Sequence, residues 1–341
     1  MRTPTYFSHS AFSLWEKNPE EYYIKHLADT RAPRMPQERP ASVGSCFDAY
    51  AKSALHEALF GKGADPAYSF EALFETQVEP HNRDWAGPEG KYVFECYQYS
   101  GLYATLLESL KRAIEPPRFE FTVEKVIHGV PFLGKPDCRF VLPGPVHVVH
   151  DWKVNGFCSK SAVSPTKGFM LCCDGEPLFK PNKKTGELEP APNKTDKQPH
   201  KQFVAYDHHG FAIDAGYMED LSTDWADQLS LYGWALDEKI GDQNVVLQIH
   251  QCVAKPIPDR RPSLRFAEFR CRVRDSYQKH LLKRLTTAWT AITSGHVIPT
   301  LSREDNDNRC RLLEKESVGL QTDGSTKDNF FAECVRPKYR G

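Results

Sequence analysis

The 341-residue sequence has no apolar run approaching the roughly 18 residues of a membrane-spanning helix. Its opening segment, MRTPTYFSHSAF, lacks the apolar stretch of a secretory signal. Together these absences predict a protein that stays in the cytoplasm. There is no CxxC pair, and the adjacent Cys172 and Cys173 are poorly spaced to close a tetrahedral zinc site. Ten cysteines scattered along a chain without an export signal read as reduced thiols rather than a disulfide framework or an iron–sulfur cluster. No Gly-x-Ser-x-Gly elbow, P-loop or dinucleotide fingerprint occurs, so any ATP-driven translocation would need a partner. The chain also lacks a charge excess. Its formal net charge is -1, and binding to nucleic acid would rest on local basic surface rather than a global field.

What is present is enough apolar material for a packed core, with 40% hydrophobic and 26% charged residues. The reading is one elaborated catalytic domain over 1–300, followed by a charged irregular tail over 301–341, with no internal repeat. Within it, 1–115 is helical. Helical spacing covers 5–29, broken near Pro19, then 42–60 up to Gly61 and Gly63, and 94–114 up to Pro116-Pro117. Residues 116–156 read as a β-meander with strands at 119–127, 132–142 and 146–154, the last two joined by Pro143-Gly144-Pro145. A polar insertion over 157–220 shows no periodicity. Residues 221–300 complete the domain as helix 222–236, hairpin strands 245–254 and 264–273, and helix 276–294.

The chemistry concentrates in Gly134-Lys135-Pro136-Asp137 and Val148-Val149-His150-Asp151-Trp152-Lys153. Asp137 and Asp151 lie on neighbouring strands of the expected meander, so pairing brings two carboxylates together. They repel unless a cation sits between them. A hard ion such as Mg²⁺ or Mn²⁺ takes oxygen ligands of this kind, completed by water and a phosphate. Lys153 follows Asp151 by two residues, and the strand period puts both on one face. Metal-assisted phosphodiester hydrolysis needs that set: carboxylates to hold the ion and an ammonium to orient water and offset negative charge. The Trp152 carbonyl, between them, is a further candidate ligand. A solvated ion pair is the bland alternative for Asp-x-Lys on a strand edge.

The spacing P-D-x13-D-x-K resembles the PD-(D/E)xK nuclease superfamily, and three more segments resemble its RecB-like branch in the same order. Ser8-His9-Ser10 through Trp15, continuing to Asn18-Pro19-Glu20-Glu21-Tyr22-Tyr23, is similar to that branch's serine-rich opening. Asn18 stands where a cluster-binding Cys is usual, which argues against an iron–sulfur cluster. Gly44-Ser45-Cys46-Phe47-Asp48 resembles the Gly-Ser/Thr-x-x-His helix start whose last residue holds metal, with Asp48 in the His place. His56, two turns on, is the competing ligand, and Glu57 a third. Gln228-Leu229-Ser230-Leu231-Tyr232 resembles the Gln-x-x-x-Tyr helix motif, whose spacing puts both side chains on one helix face.

The resemblance implies a restriction-endonuclease-like α/β fold, a central mixed sheet flanked by helices, and a phage- or prophage-type exonuclease cutting DNA in recombination or repair. Asp137, Asp151 and Lys153 would be catalytic. Asp48, Asp137, Asp151, Trp152 and His56 are the metal candidates for Mg²⁺ or Mn²⁺. Ser10, Lys160, Gln228 and Tyr232 are the DNA-binding candidates, Lys160 heading the basic run of the insertion. Implied partners are DNA and a single-strand annealing protein or recombinase in a bacterial host cytoplasm, with no membrane and with homo-oligomerisation left open. A structure-specific or Cas4-like endonuclease, and an inactive DNA-binding protein, are the alternatives on the same fold. Asp207-His208-His209 with Asp214 is set aside as a metal cluster, because neighbours on extended chain point to opposite faces.

Overall fold

The computed structural model describes residues 2–29, 36–154, 179–181, 184–185, 188–190, 217–252, 260, 262 and 266–295. The protein is mixed α/β, and its main sheet has five strands flanked by helices. The chain forms two compact units.

The first unit contains α1 (His9–Lys17), α2 (Pro19–Tyr22) continued by a π-helical turn at Tyr23–Leu27, the hairpin β2 (Val123–Ile127) and β3 (Val130–Gly134), and α9 (Asp275–Thr293). Ser8 opens α1 by accepting the Ala11 amide at 3.2 Å. Asn18 both ends it and caps the next helix, accepting the Glu21 amide at 3.2 Å while Pro19 takes the first helical position. The break expected at Pro19 is therefore a junction between two capped helices. Phe7 is fully buried, and its ring meets those of Phe12, Tyr22 and Trp289. Burying each such aromatic contributes about 1.5–3 kcal/mol.

The second unit holds the sheet. Its strands are β1 (Arg118–Phe119), β4 (Cys138–Leu142), β5 (Val146–Val154), β8 (Val245–Cys252) and β9 (Phe266–Cys271), and they lie in that order. β4 and β5 are antiparallel, β5 and β8 parallel, and β8 and β9 antiparallel. A parallel pair needs a long crossover, and this one carries α7 (Met218–Leu221) and α8 (Thr223–Ala235). It also includes the short antiparallel strands β6 (Phe179–Pro181) and β7 (Leu188–Pro190), inside the stretch the sequence reads as structureless. β5 is central and buried on both faces from Val148 to Trp152, as a covered parallel neighbour requires. On one face the rings of Phe47 and Tyr97 pack with Phe266; on the other, Trp225 of α8 meets Phe269.

Phe47 belongs to α3 (Arg39–Phe60) and Tyr97 to α5 (Arg83–Tyr99), with α4 (Phe70–Gln77) between them in sequence and α6 (Leu102–Lys111) after. The two long helices approach closely at Gly90, where an added Cβ would come within 2.5 Å of the Cys46 sulfur. The sequence reading places no helix between Gly63 and Phe94, a stretch that holds Gly87, Pro88 and Gly90. In fact Pro88 sits inside α5, whose first turns pack against Cys46, Val78 and their neighbours.

The expected meander also needs correction. Phe132–Leu142 is not one strand: it stops at Gly134 and restarts at Cys138, and its halves pair in different sheets. Pro136 lies in the gap and has no N–H to donate to a ladder. Phe119–Ile127 divides likewise, with Glu120 in the left-handed region at φ 44°. Among the described residues no helix is long and apolar enough to cross a membrane.

Candidate functional site

The β4–β5 register sets Cys138 opposite His150, so Asp137 arrives beside Asp151 at the point where β4 begins. The two carboxyl groups stand against each other, and the Trp152 amide donates to Asp137 Oδ2 at 3.1 Å. Burial pushes the Asp151 carboxyl well above its usual range, with the charge of Asp137 adding to the effect. Burial acts on Asp137 in the same direction, but Lys52, the Asp151 hydrogen bond, Lys153 and the Trp152 amide overcome it and hold Asp137 well below the usual carboxylate range. The two carboxyls of the pair are thus pushed in opposite directions.

Lys153 points to the same place from β5. Its Nζ lies 2.5 Å from Asp151 Oδ2 and donates to Gln228 Oε1 at 2.6 Å. Gln228 in turn donates to the Tyr232 hydroxyl at 3.2 Å, one turn along α8. Tyr232 is pushed up to about 12 by burial and by the Asp151 charge, so its phenol remains protonated. The helix on this face thus supplies an amide and a phenol that fix the lysine.

Asp48 comes from α3 and meets the same cluster through a residue not singled out in the sequence, Lys52. That ammonium is 1% exposed and lies 2.7 Å from Asp48 Oδ2, 3.1 Å from Glu120 Oε2 and 3.3 Å from Asp137 Oδ1. Gln77, the last residue of α4, donates to Asp48 at 3.0 Å and to Glu120 at 2.7 Å. Lys135 pairs with the other Glu120 oxygen. Burial raises the Asp48 carboxyl to about 7 against the pull of Lys52. For Glu120 the balance goes the other way: Lys52 and Lys135 outweigh burial and lower it.

The candidates named from sequence are distributed as follows. Asp48, Asp137, Asp151, Lys153, Gln228 and Tyr232 form one connected network. Trp152 enters it through its amide, while its indole donates to Tyr97 at 3.2 Å on the opposite face. His56 is turned elsewhere: its ring stacks on Tyr68 at 4.3 Å and meets the tilted ring of Phe60 at 4.7 Å, and burial lowers its pKa. Ser10 belongs to the first unit, in the opening turn of α1, where its hydroxyl meets that of Ser8 at 3.1 Å. Lys160, most of the basic run and Asp207-His208-His209 lie outside the described residues.

Three members, Lys52, Gln77 and Glu120, were not anticipated. Lys52 carried a signal, since it follows Asp48 by four residues on one helix face. Glu120 interrupts two phenylalanines, but nothing local marks its partners. Gln77 gave no signal. A second polar group also went unread, on the Trp152 face. There Tyr97 and His250 Nδ1 are 2.7 Å apart, His250 Nε2 lies 3.0 Å from Glu268, and the His150 ring packs edgewise on Trp152 and His250.

The donor set suits a hard divalent cation. Asp48, Asp137 and Asp151 all offer oxygen, and two adjoining carboxylates favour a cation between them. Among the described residues no three metal-capable side chains already surround one point. No protein-family model and no curated protein matches this chain.

Proposed function

We propose that this protein is a metal-dependent DNA nuclease with a restriction-endonuclease-like core, and that it acts as an exonuclease of the phage or prophage type. The observation that carries the reading is the convergence of Asp137, Asp151 and Lys153 at one point, with Lys153 fixed by Gln228 and Tyr232. Asp137 and Asp151 would hold Mg²⁺ or Mn²⁺, with Asp48 contributing through the same cluster. When bound, the ion supplies Lewis acidity and lowers the pKa of a water.

The chain's own residues do the rest. The Trp152 amide holds Asp137 in the orientation its partner needs. Lys153, aimed by Gln228, is placed to orient a water and offset negative charge growing on a phosphate. Tyr232, a protonated phenol beside it, can donate to a phosphate oxygen. A bacterial cytoplasm and an annealing protein or recombinase as partner belong to the same proposal.

The test incubates the full chain with end-labelled linear DNA and with covalently closed circular DNA, in Mg²⁺ and with chelator. Loss of the linear substrate from its ends, sparing of the circle and no reaction with chelator are expected. Cutting of the circle would make the protein an endonuclease on the same core. DNA binding without hydrolysis in Mg²⁺ or Mn²⁺ would contradict enzymatic function altogether.

A further inference from the structure

We infer that Lys52 is a built-in cation: its ammonium takes the place of a second divalent ion among Asp48, Glu120 and Asp137, so that a single ion held by Asp137 and Asp151 completes the site. This rests on the nuclease reading above.

An ammonium has three N–H donors, and here each faces a carboxylate, from α3, from the turn after β1 and from the start of β4. No donor is left for water, and at 1% exposure the side chain has nowhere else to go. An ion pair that served only to join α3 to the sheet would need one carboxylate. Gathering three partly buried acids on one buried lysine carries a desolvation cost that a structural pair would not incur. Gln77 adds a second brace, bridging Asp48 and Glu120 with one amide nitrogen. The three acids are therefore held in place before any ion arrives.

The charge balance points the same way. With all ionised, the four carboxylates Asp48, Glu120, Asp137 and Asp151 face three ammoniums, Lys52, Lys135 and Lys153, leaving one net negative charge. One divalent ion turns that into a single positive charge, which one phosphodiester cancels. A second ion would leave the cluster with three positive charges. Lys52 supplies charge to the carboxylates and Lys153 reaches outward to Gln228, so the two lysines are not interchangeable. Lys52 is a positioning residue, and its signature is an ion count.

Mn²⁺ binding to the purified full chain, counted by electron paramagnetic resonance of the free ion, tests this. The wild type is expected to bind one ion per chain. Lys52→Gln, with folding checked by circular dichroism, is expected to bind two, and its DNA cleavage to depend on the square of Mn²⁺ concentration where the wild type depends on the first power. Lys52→Arg keeps the charge and is expected to bind one. Two ions in the wild type, or one in folded Lys52→Gln, would overturn the inference while leaving the nuclease reading standing. No ion in the wild type would remove that reading, and the inference with it. If Lys52→Gln fails to fold, the wild-type count still decides between one ion and two.

Discussion

The two faces of β5 carry different kinds of polar cluster, though the strand passes its residues to them in turn. Asp151 and Lys153 enter one; His150 and Trp152 enter the other. On the Trp152 face, His150 and His250 are fully buried, and Tyr97, His250, Gln248 and Glu268 bond one another, with Glu268 reaching 20% exposure. On the Asp151 face Lys153 is 19% and Asp137 24% exposed, and two carboxyls stand side by side. A closed polar network fixes a fold, whereas an open one with unspent negative charge can accept a cation and a phosphate. On the proposed reading, that difference separates a structural cluster from a functional one on a single strand.

Removing the lysine of the open face should have the largest effect. Lys153→Ala is expected to lower DNA cleavage by about 10²–10³-fold with an unchanged unfolding midpoint, since it deletes a charge aimed at the reacting phosphate. Next is its support. Gln228→Ala is expected to reduce cleavage by roughly 10–100-fold, as loss of an orienting partner does, measured as kcat on end-labelled DNA. The closed face should respond in the opposite sense. Tyr97→Phe removes the hydroxyl shared by His250 and Trp152 and is expected to cost about 1–2 kcal/mol in urea unfolding, with cleavage per folded molecule retained. If Tyr97→Phe abolished cleavage while leaving stability untouched, the contrast between the faces would collapse.

The smallest effect concerns pH. Burial raises Glu268, but His250, Arg270 and Gln248 outweigh it and bring it down to about 2. A carboxyl whose folded pKa is depressed adds stability above its unfolded value, and that contribution disappears as pH falls from about 4.5 towards about 2. The urea midpoint of the wild type is expected to fall through that window, and that of Glu268→Gln to fall less. Equal slopes would mean the closed face does not hold Glu268 charged.

How much of this was legible depended on whether partners were local. Asp151 and Lys153 share a face because a strand alternates, and Gln228 and Tyr232 share one because four residues make a helical turn; short-range geometry suffices for both. The central mixed sheet with flanking helices was what the resemblance implied, while the change of period along the chain marked where helices give way to strands. Asp137 could be seen as a neighbour of Asp151, yet its strand could not, because Pro136 divides the apolar run 132–142 between two sheets. The first turns of α5 hold two glycines and Pro88, which packing tolerates and local propensity does not. Glu120 and Gln77 act through contacts 43 residues apart, and Tyr97 meets His250 across 153. No periodicity encodes such distances. Lys52 was visible beside Asp48, but a search for metal ligands does not look for a cation already in place.

The most direct measurement is the cleavage of end-labelled linear DNA in Mg²⁺ by wild type, Asp137→Asn and Asp151→Asn, each confirmed as folded. The wild type should degrade the substrate, and both variants, having lost the charge that would hold the ion, should leave it intact. Cleavage by either folded variant at the wild-type rate would contradict the assignment of the open face as the active centre.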